Sequence, residues 1–135
     1  MEDSPIAQVS TPASPLIFIV DDEPMVLEVL GMSLGDEGYA IQSFSDPLEA
    51  FQHFETAQRK PAMLLADYRM PGMTGMELIR RCKANYPALK TISISGTLNL
   101  CDFKTFVTRP DRFINKPIFP RDLIKVVKEL LQEPS

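Results

Sequence analysis

The sequence predicts a single α/β domain, an open sheet of parallel strands with helices on both faces. Three observations carry this expectation. Five short strand-like runs recur along the chain: LIFIV, AIQSFS, AMLLADY, TISIS and DRFIN. A helical or weakly helical segment follows each of them, and alternation at this spacing calls for right-handed crossovers between parallel strands. Finally, 135 residues suit one domain, with no internal repeat and no second unit in view.

The elements follow in order. LIFIV (16–20) is continuously apolar and rich in β-branched residues, as a strand covered on both faces should be. Asp21, Asp22 and Glu23 come next, then Pro24, which suits a first helical turn. From there to Tyr39 the apolar residues Val26, Leu27, Leu30 and Leu34 form a helical stripe, with Gly38 as the expected C-terminal cap. AIQSFS is a short strand. Asp46 and Pro47 read as N-cap and first residue of a second helix, DPLEAFQHFETAQ. Pro61 breaks the chain before the third strand, AMLLADY. Thr74 or Gly75 opens the helix GMELIRRCKANY, which stops before Pro87. TISIS is the fourth strand, ended by Gly96. TLNLCDFKTFV (97–107) is only weakly helical. DRFIN is the fifth strand, ended by Lys116-Pro117, and PRDLIKVVKELLQ is a closing amphipathic helix with Leu123, Val126, Val127, Leu130 and Leu131 on one side.

Composition narrows the function classes. The net charge of −4 speaks against a nucleic-acid surface, which calls for a basic stripe. No apolar run approaches the roughly 18 residues of a membrane span. The acidic, Pro- and Ser-rich start, residues 1–15, lacks the basic and apolar stretches of a signal peptide. It reads as a disordered leader before a domain at 16–133, with the cytoplasm as the default compartment. Cys82 and Cys101 have no metal-like spacing and read as reduced, buried thiols. His53, the only histidine, reads as a surface residue of the second helix, and the six internal methionines read as packing residues.

Open parallel sheets form their sites outside the carboxyl ends of the strands. Strand one delivers Asp21, Asp22 and Glu23 there, strand three Asp67, strand four Ser95 and Gly96, and strand five Lys116 and Pro117. Singly, each has an ordinary reading as cap, turn or surface residue. Together they place carboxylates, a hydroxyl and an ammonium on one rim. Clustered carboxylates repel and raise one another's pKa, and a hard divalent cation such as Mg²⁺ or Mn²⁺ relieves this. Such an ion accepts a phosphoryl oxygen, while an Asp carboxylate can serve as a nucleophile that becomes an acyl phosphate.

VDDEP, LLADYRMPGMTGMELI, SISG and NKP, in this order and spacing, resemble the motifs of two-component response-regulator receiver domains of the chemotaxis, single-domain type. The resemblance covers about residues 16–131. It implies a flavodoxin-like (βα)5 fold with a five-stranded parallel sheet in the order 2-1-3-4-5. It implies Asp67 as phosphoacceptor and Asp21, Asp22, Asp67 and the backbone carbonyl of Arg69 as metal ligands. Ser95 and Lys116 would contact the phosphoryl group, Ser95 and Phe113 would act as the switch pair, and the bond before Pro117 would be a candidate for the cis form. The implied donor is a histidine kinase or phosphotransfer protein and the implied output an unnamed protein target, with no turnover of substrate. Ending at Gln132-Glu133-Pro134-Ser135, the sequence fits a stand-alone receiver or a piece of a longer regulator equally well.

Two departures from the family pattern matter. Arg69 puts a cation where the family is often uncharged, within reach of Glu23 or of a phosphoryl group, and is expected to change phosphoryl lifetime. Thr108-Arg109-Pro110 replaces a Gly-Ala turn, and the segment before it lacks the small residues usual in the fourth helix. An aspartyl-nucleophile phosphatase would carry Asp-x-Asp after strand one, whereas here the acids are adjacent and the best nucleophile follows strand three. An FMN-binding flavodoxin would meet repulsion from Asp21 and Asp22. The remaining alternative is a non-phosphorylated pseudo-receiver, against which stands the presence of every residue that phosphorylation needs.

Overall fold

The computed structural model describes residues 14–96 and 109–133. Five parallel strands, β1 (Leu16–Val20), β2 (Ala40–Phe44), β3 (Met63–Asp67), β4 (Lys90–Ser95) and β5 (Arg112–Asn115), form one sheet in the order β2-β1-β3-β4-β5. This is the predicted class and order, with strand ends within a residue or two of those read from the sequence. Among the described residues four helices cover it: α1 (Pro24–Gly35), α2 (Pro47–Thr56), α3 (Gly75–Asn85) and α4 (Pro120–Gln132). The leader expected over 1–15 falls almost wholly outside the described residues, as do the weakly helical 97–108 segment and Cys101.

The burial explains why the strand runs are continuously apolar. Successive side chains of β1 and β3 point to opposite faces, and both faces are covered. Phe18, Val20, Leu64 and Ala66 meet Ala50 and Phe54 of α2 and Leu78, Ile79 and Cys82 of α3. Ile17, Ile19, Met63 and Leu65, with Ile92 and Ile94 of β4, meet Leu30 and Leu34 of α1 and Leu123, Val127 and Leu130 of α4. Edge strand β2 leaves Gln42 and Ser43 exposed, as its more polar sequence requires.

The helix signals act locally. The Asp46 carboxylate accepts from Leu48 N, and the Thr74 side chain accepts from Glu77 N, each satisfying a donor that the first turn leaves open. Prolines occupy the first turns of α1, α2 and α4. The α1 helix stops at Gly35, a few residues before Gly38, the cap expected from the sequence. Beyond it Glu37 N and Gly38 N bond back to Leu34 O and Gly35 O, and Gly38 takes φ +96°, a left-handed turn that favours glycine.

The packing reading of the methionines is corrected at two positions, while His53 lies at the surface as expected. Met25 and Met32 are 78% and 63% exposed. Both lie on the face of α1 turned from the sheet, which the Leu30–Leu34 stripe leaves to solvent. Met63, Met70 and Met76 are buried as expected. His53 is exposed, yet its ring lies 5.7 Å from that of Phe18 and 5.4 Å from that of Phe44, so its apolar body covers the core edge. Cys82 is buried, and burial pushes its thiol up to about 12, consistent with an inert packing residue. No helix among the described residues is long and apolar enough to cross a membrane.

The layers predict sharply different sensitivities. Leu65→Ala, in the fully buried centre of β3, should lower the unfolding free energy by about 2–5 kcal/mol, because the removed atoms leave a cavity. Met32→Ala should change it by less than about 0.5 kcal/mol. Urea unfolding of the two variants checks this.

Candidate functional site

Strand register builds the site. Val20 pairs with Ala66, so the residue just after β1, Asp21, emerges beside the tip of β3, where Asp67 ends the strand. Main-chain bonds fix both. Asp21 N donates to Phe44 O (3.1 Å), and Tyr68 N, just after Asp67, donates to Ile94 O (2.7 Å). Lys116 N donates to Ser95 O (2.9 Å), which sets the end of β5 against the end of β4. The Lys116–Pro117 bond is cis.

After Asp67 the chain turns through Pro71-Gly72, with Gly72 at φ +87°, and re-enters helix at α3. Gly75 lies directly over the acid. A Cβ there would stand 2.3 Å from the Asp67 carbonyl oxygen and 2.9 Å from its carbonyl carbon, so no side chain fits without moving the strand tip. Gly75 N also donates to Tyr68 O (3.0 Å).

Asp21 is 1% exposed and Asp67 5%, while Asp22 is open to solvent. One ligand oxygen from each can lie within 4.8 Å of the others. Lys116 Nζ is the cation among them, 3.0 Å from Glu23 Oε1, 3.5 Å from Asp67 Oδ2 and 3.7 Å from Asp21 Oδ2. Asp22, Glu23, Asp67, Arg69, Ser95, Gly96 and Lys116 line a cleft of ≈ 380 Å³.

Electrostatics mark the two buried acids. Burial raises the Asp21 carboxyl to about 6. The Glu23 N–H, donating to Asp21 Oδ1 at 2.9 Å, and Lys116 oppose the rise, while the charges of Asp67 and Glu23 add to it. Asp67 is also raised, first by burial, against the pull of Lys116. Burial works against the Lys116 ammonium, but the bond to Glu23 and the charges of Asp21 and Asp67 outweigh it and hold its pKa above the ordinary value.

The residues fit a hard divalent cation. Asp21 Oδ2 is buried with no hydrogen-bond donor, an acceptor that burial should not leave idle. The donor set is all carboxylate oxygen, the set that Mg²⁺ and its relatives take.

Of the residues singled out from the sequence, Asp22, Asp67, Arg69, Ser95 and Lys116 line the cleft, and Asp21 stands within ligand reach of Asp22 and Asp67. Phe113 is half-buried on β5, paired with Ser93, and is not among the lining residues. Two features were missed. Glu23, expected within reach of Arg69, pairs with Lys116. The signal was a glutamate at a helix N-cap, where Ser, Thr, Asp or Asn is preferred. Gly75 reads from the sequence as a helix start, although glycine is a poor helix former and marks close backbone approach.

Known proteins align with this arrangement. The family model of the response regulator receiver domain matches residues 17–128. The phosphate regulon transcriptional regulatory protein PhoB of Pseudomonas aeruginosa is 30% identical over 119 residues, covering 86% of this chain and 51% of that protein. The transcriptional regulatory protein CssR of Bacillus subtilis is 31% identical over 117 residues, again 86% and 51%. The chain thus spans about half the length of these two relatives, and 18% of the putative two-component response regulator ARR21 of Arabidopsis thaliana. Among solved structures, a CheY-like receiver domain protein of Methanospirillum hungatei superposes with TM-score 0.81 at 29% identity, over 87% of this chain and 94% of that one. The response regulator TrrA of Thermotoga maritima, in complex with Mg(2+)-BeF, superposes with TM-score 0.74 at 25% identity, over 86% and 98%.

The buried acids make stability pH-dependent without a divalent ion. Between the ordinary 3.8 and about 6, folded Asp21 keeps a proton that the unfolded chain has lost. Stability therefore falls as pH rises through that window. In chelator, Asp21→Asn should be more stable than wild type at pH 7 by about 1–3 kcal/mol, and the gain should shrink towards pH 4. Urea unfolding at both pH values checks this, and a pH-independent difference would contradict it.

Proposed function

This chain belongs to the response-regulator receiver domain family, and on that premise we propose that it is a phosphoacceptor switch with Asp67 as the accepting residue. A partner histidine kinase or phosphotransfer protein supplies the phosphoryl group, and a protein target reads the result. The observation that carries this reading is the Asp67 carboxylate itself. It is a buried acid at a strand tip, facing a cleft, with an ammonium at 3.5 Å and two further acids within ligand reach.

The transfer balances simply. An Asp67 oxygen attacks phosphorus, the phosphorus–nitrogen bond of the donor breaks, and the donor imidazole keeps the electron pair and takes up a proton. The product is an acyl phosphate on Asp67. Asp21, Asp22, Asp67 and the Arg69 carbonyl would hold Mg²⁺ or Mn²⁺. Such an ion, when bound, offsets the carboxylate charge and polarises phosphoryl oxygens. Lys116 turns its ammonium to one phosphoryl oxygen and Ser95 its hydroxyl to another. Burial matters here, since charge–charge attraction gains strength as water is excluded.

Ser95 moving towards the phosphoryl group makes room for Phe113, one strand over, to turn inward. The faces around β5 then change their affinity for the target. The protein is consumed one phosphoryl group at a time, so it is an acceptor that assists its own modification and later its loss. Arg69, on the cleft wall, alters how long the acyl phosphate lasts.

With acetyl phosphate and Mg²⁺, wild type should gain the mass of one phosphoryl group, and Asp67→Asn should gain none. Equal labelling of the two proteins would reject Asp67 as acceptor. No labelling of wild type would favour an inert interaction module.

A further inference from the structure

We propose that Glu23 is a positioning residue that competes with the phosphoryl group for Lys116 and so sets how readily the unmodified protein accepts it. The inference rests on the reading of Asp67 as phosphoacceptor. Three acids surround Lys116 Nζ, and the closest oxygen is Glu23 Oε1 at 3.0 Å, a direct hydrogen bond between residues 93 apart in sequence. Asp67 and Asp21 stand farther off, at 3.5 and 3.7 Å. In the unmodified protein the nearest partner of the ammonium is therefore Glu23.

The chain fixes Glu23 for this role. Its N–H donates to Asp21 Oδ1 at 2.9 Å, and its carbonyl accepts from Val26 N and Leu27 N in the first turn of α1. The backbone at this position is thus tied to a buried acid and to a helix end. The side chain sits at the N-cap yet makes no capping bond. A shorter polar residue would serve the helix better. The glutamate instead reaches across the cleft to the end of β5.

Glu23, Lys116 and Asp67 line the same cleft, so a phosphoryl group on Asp67 arrives beside the Glu23–Lys116 pair. One ammonium then faces two anions. The phosphoryl group must draw Lys116 from Glu23 and must tolerate the glutamate charge beside it. The Glu23 side chain is 61% exposed and that of Lys116 24%, so the pair is partly screened. Exposed ion pairs are weak, and the effect on affinity should be roughly two- to fivefold. Glu23 tunes the site and does not block it.

The test uses beryllofluoride, a phosphoryl mimic, titrated at saturating Mg²⁺ and followed by amide NMR shifts. Wild type, Glu23→Gln, Lys116→Ala and the double variant form a cycle. Glu23→Gln should bind about two- to fivefold tighter than wild type. That gain should vanish in the Lys116→Ala background and shrink at about 1 M salt, where charges are screened beyond about 3 Å. The Lys116 side-chain NMR signal should also shift in Glu23→Gln before any ligand is added. Equal or weaker binding by Glu23→Gln overturns the proposal, and so does the same gain without Lys116, which would mean a general charge effect. If wild type and Glu23→Gln both bind no beryllofluoride while still binding Mg²⁺, the phosphoacceptor reading falls as well.

Discussion

Asp21 and Asp67 leave adjacent buried strands side by side, and the burial of two carboxylates this close together is the constraint around which the rest of the site is arranged. Neither acid has much water to screen it. Burial alone pushes both pKa values up, and Asp67 adds to the rise at Asp21. One lysine, brought in from the far end of the chain, is the cation that balances them. A site of this kind is unfavourable when empty and strongly receptive to positive charge. That is a useful state for the proposed phosphoacceptor, whose cleft would take up a divalent ion and then a phosphoryl group.

The scaffold holds that tension through main-chain geometry. The β1–β3 register sets the two acids side by side, and the β4–β5 bond from Lys116 N to Ser95 O anchors the base of the lysine. Gly75 lets α3 begin in contact with the Asp67 carbonyl, where a side chain would not fit. Backbone on buried strands positions the Asp67 carboxylate, while the longer Lys116 and Glu23 side chains meet in the cleft, 24% and 61% exposed. Buried acids beside longer, more exposed counter-charges fit the proposed switch, which would recognise a phosphoryl group and change state upon doing so.

Much of this was legible in the sequence, for physical reasons. Strands buried on both faces must be continuously apolar, and LIFIV and MLLA are. A parallel α/β sheet gathers its polar residues at one edge, so Asp21, Asp22, Asp67, Ser95 and Lys116 fell there by topology alone. The order of the strands came with the family resemblance, since alternation by itself does not choose it. Met25 and Met32, seven residues apart, lie off the Val26, Leu27, Leu30 and Leu34 stripe, so the helical period already placed them towards solvent, and reading every methionine as packing overlooked it. What escaped was relational. The Glu23–Lys116 pair joins residues that only the fold brings together, and the need for glycine at 75 comes from the Asp67 carbonyl eight positions earlier.

Mg²⁺-dependent stability tests most directly whether the crowded carboxylates form a cation site. A ligand that binds only the folded state at about one hundred times its Kd adds about 2.7 kcal/mol. Wild-type protein titrated with Mg²⁺ should therefore show a rising unfolding midpoint, and Asp21→Asn, which lacks the buried oxygen without a partner, should show little or no rise. A wild-type midpoint indifferent to Mg²⁺, or an equal rise in both proteins, would contradict the account.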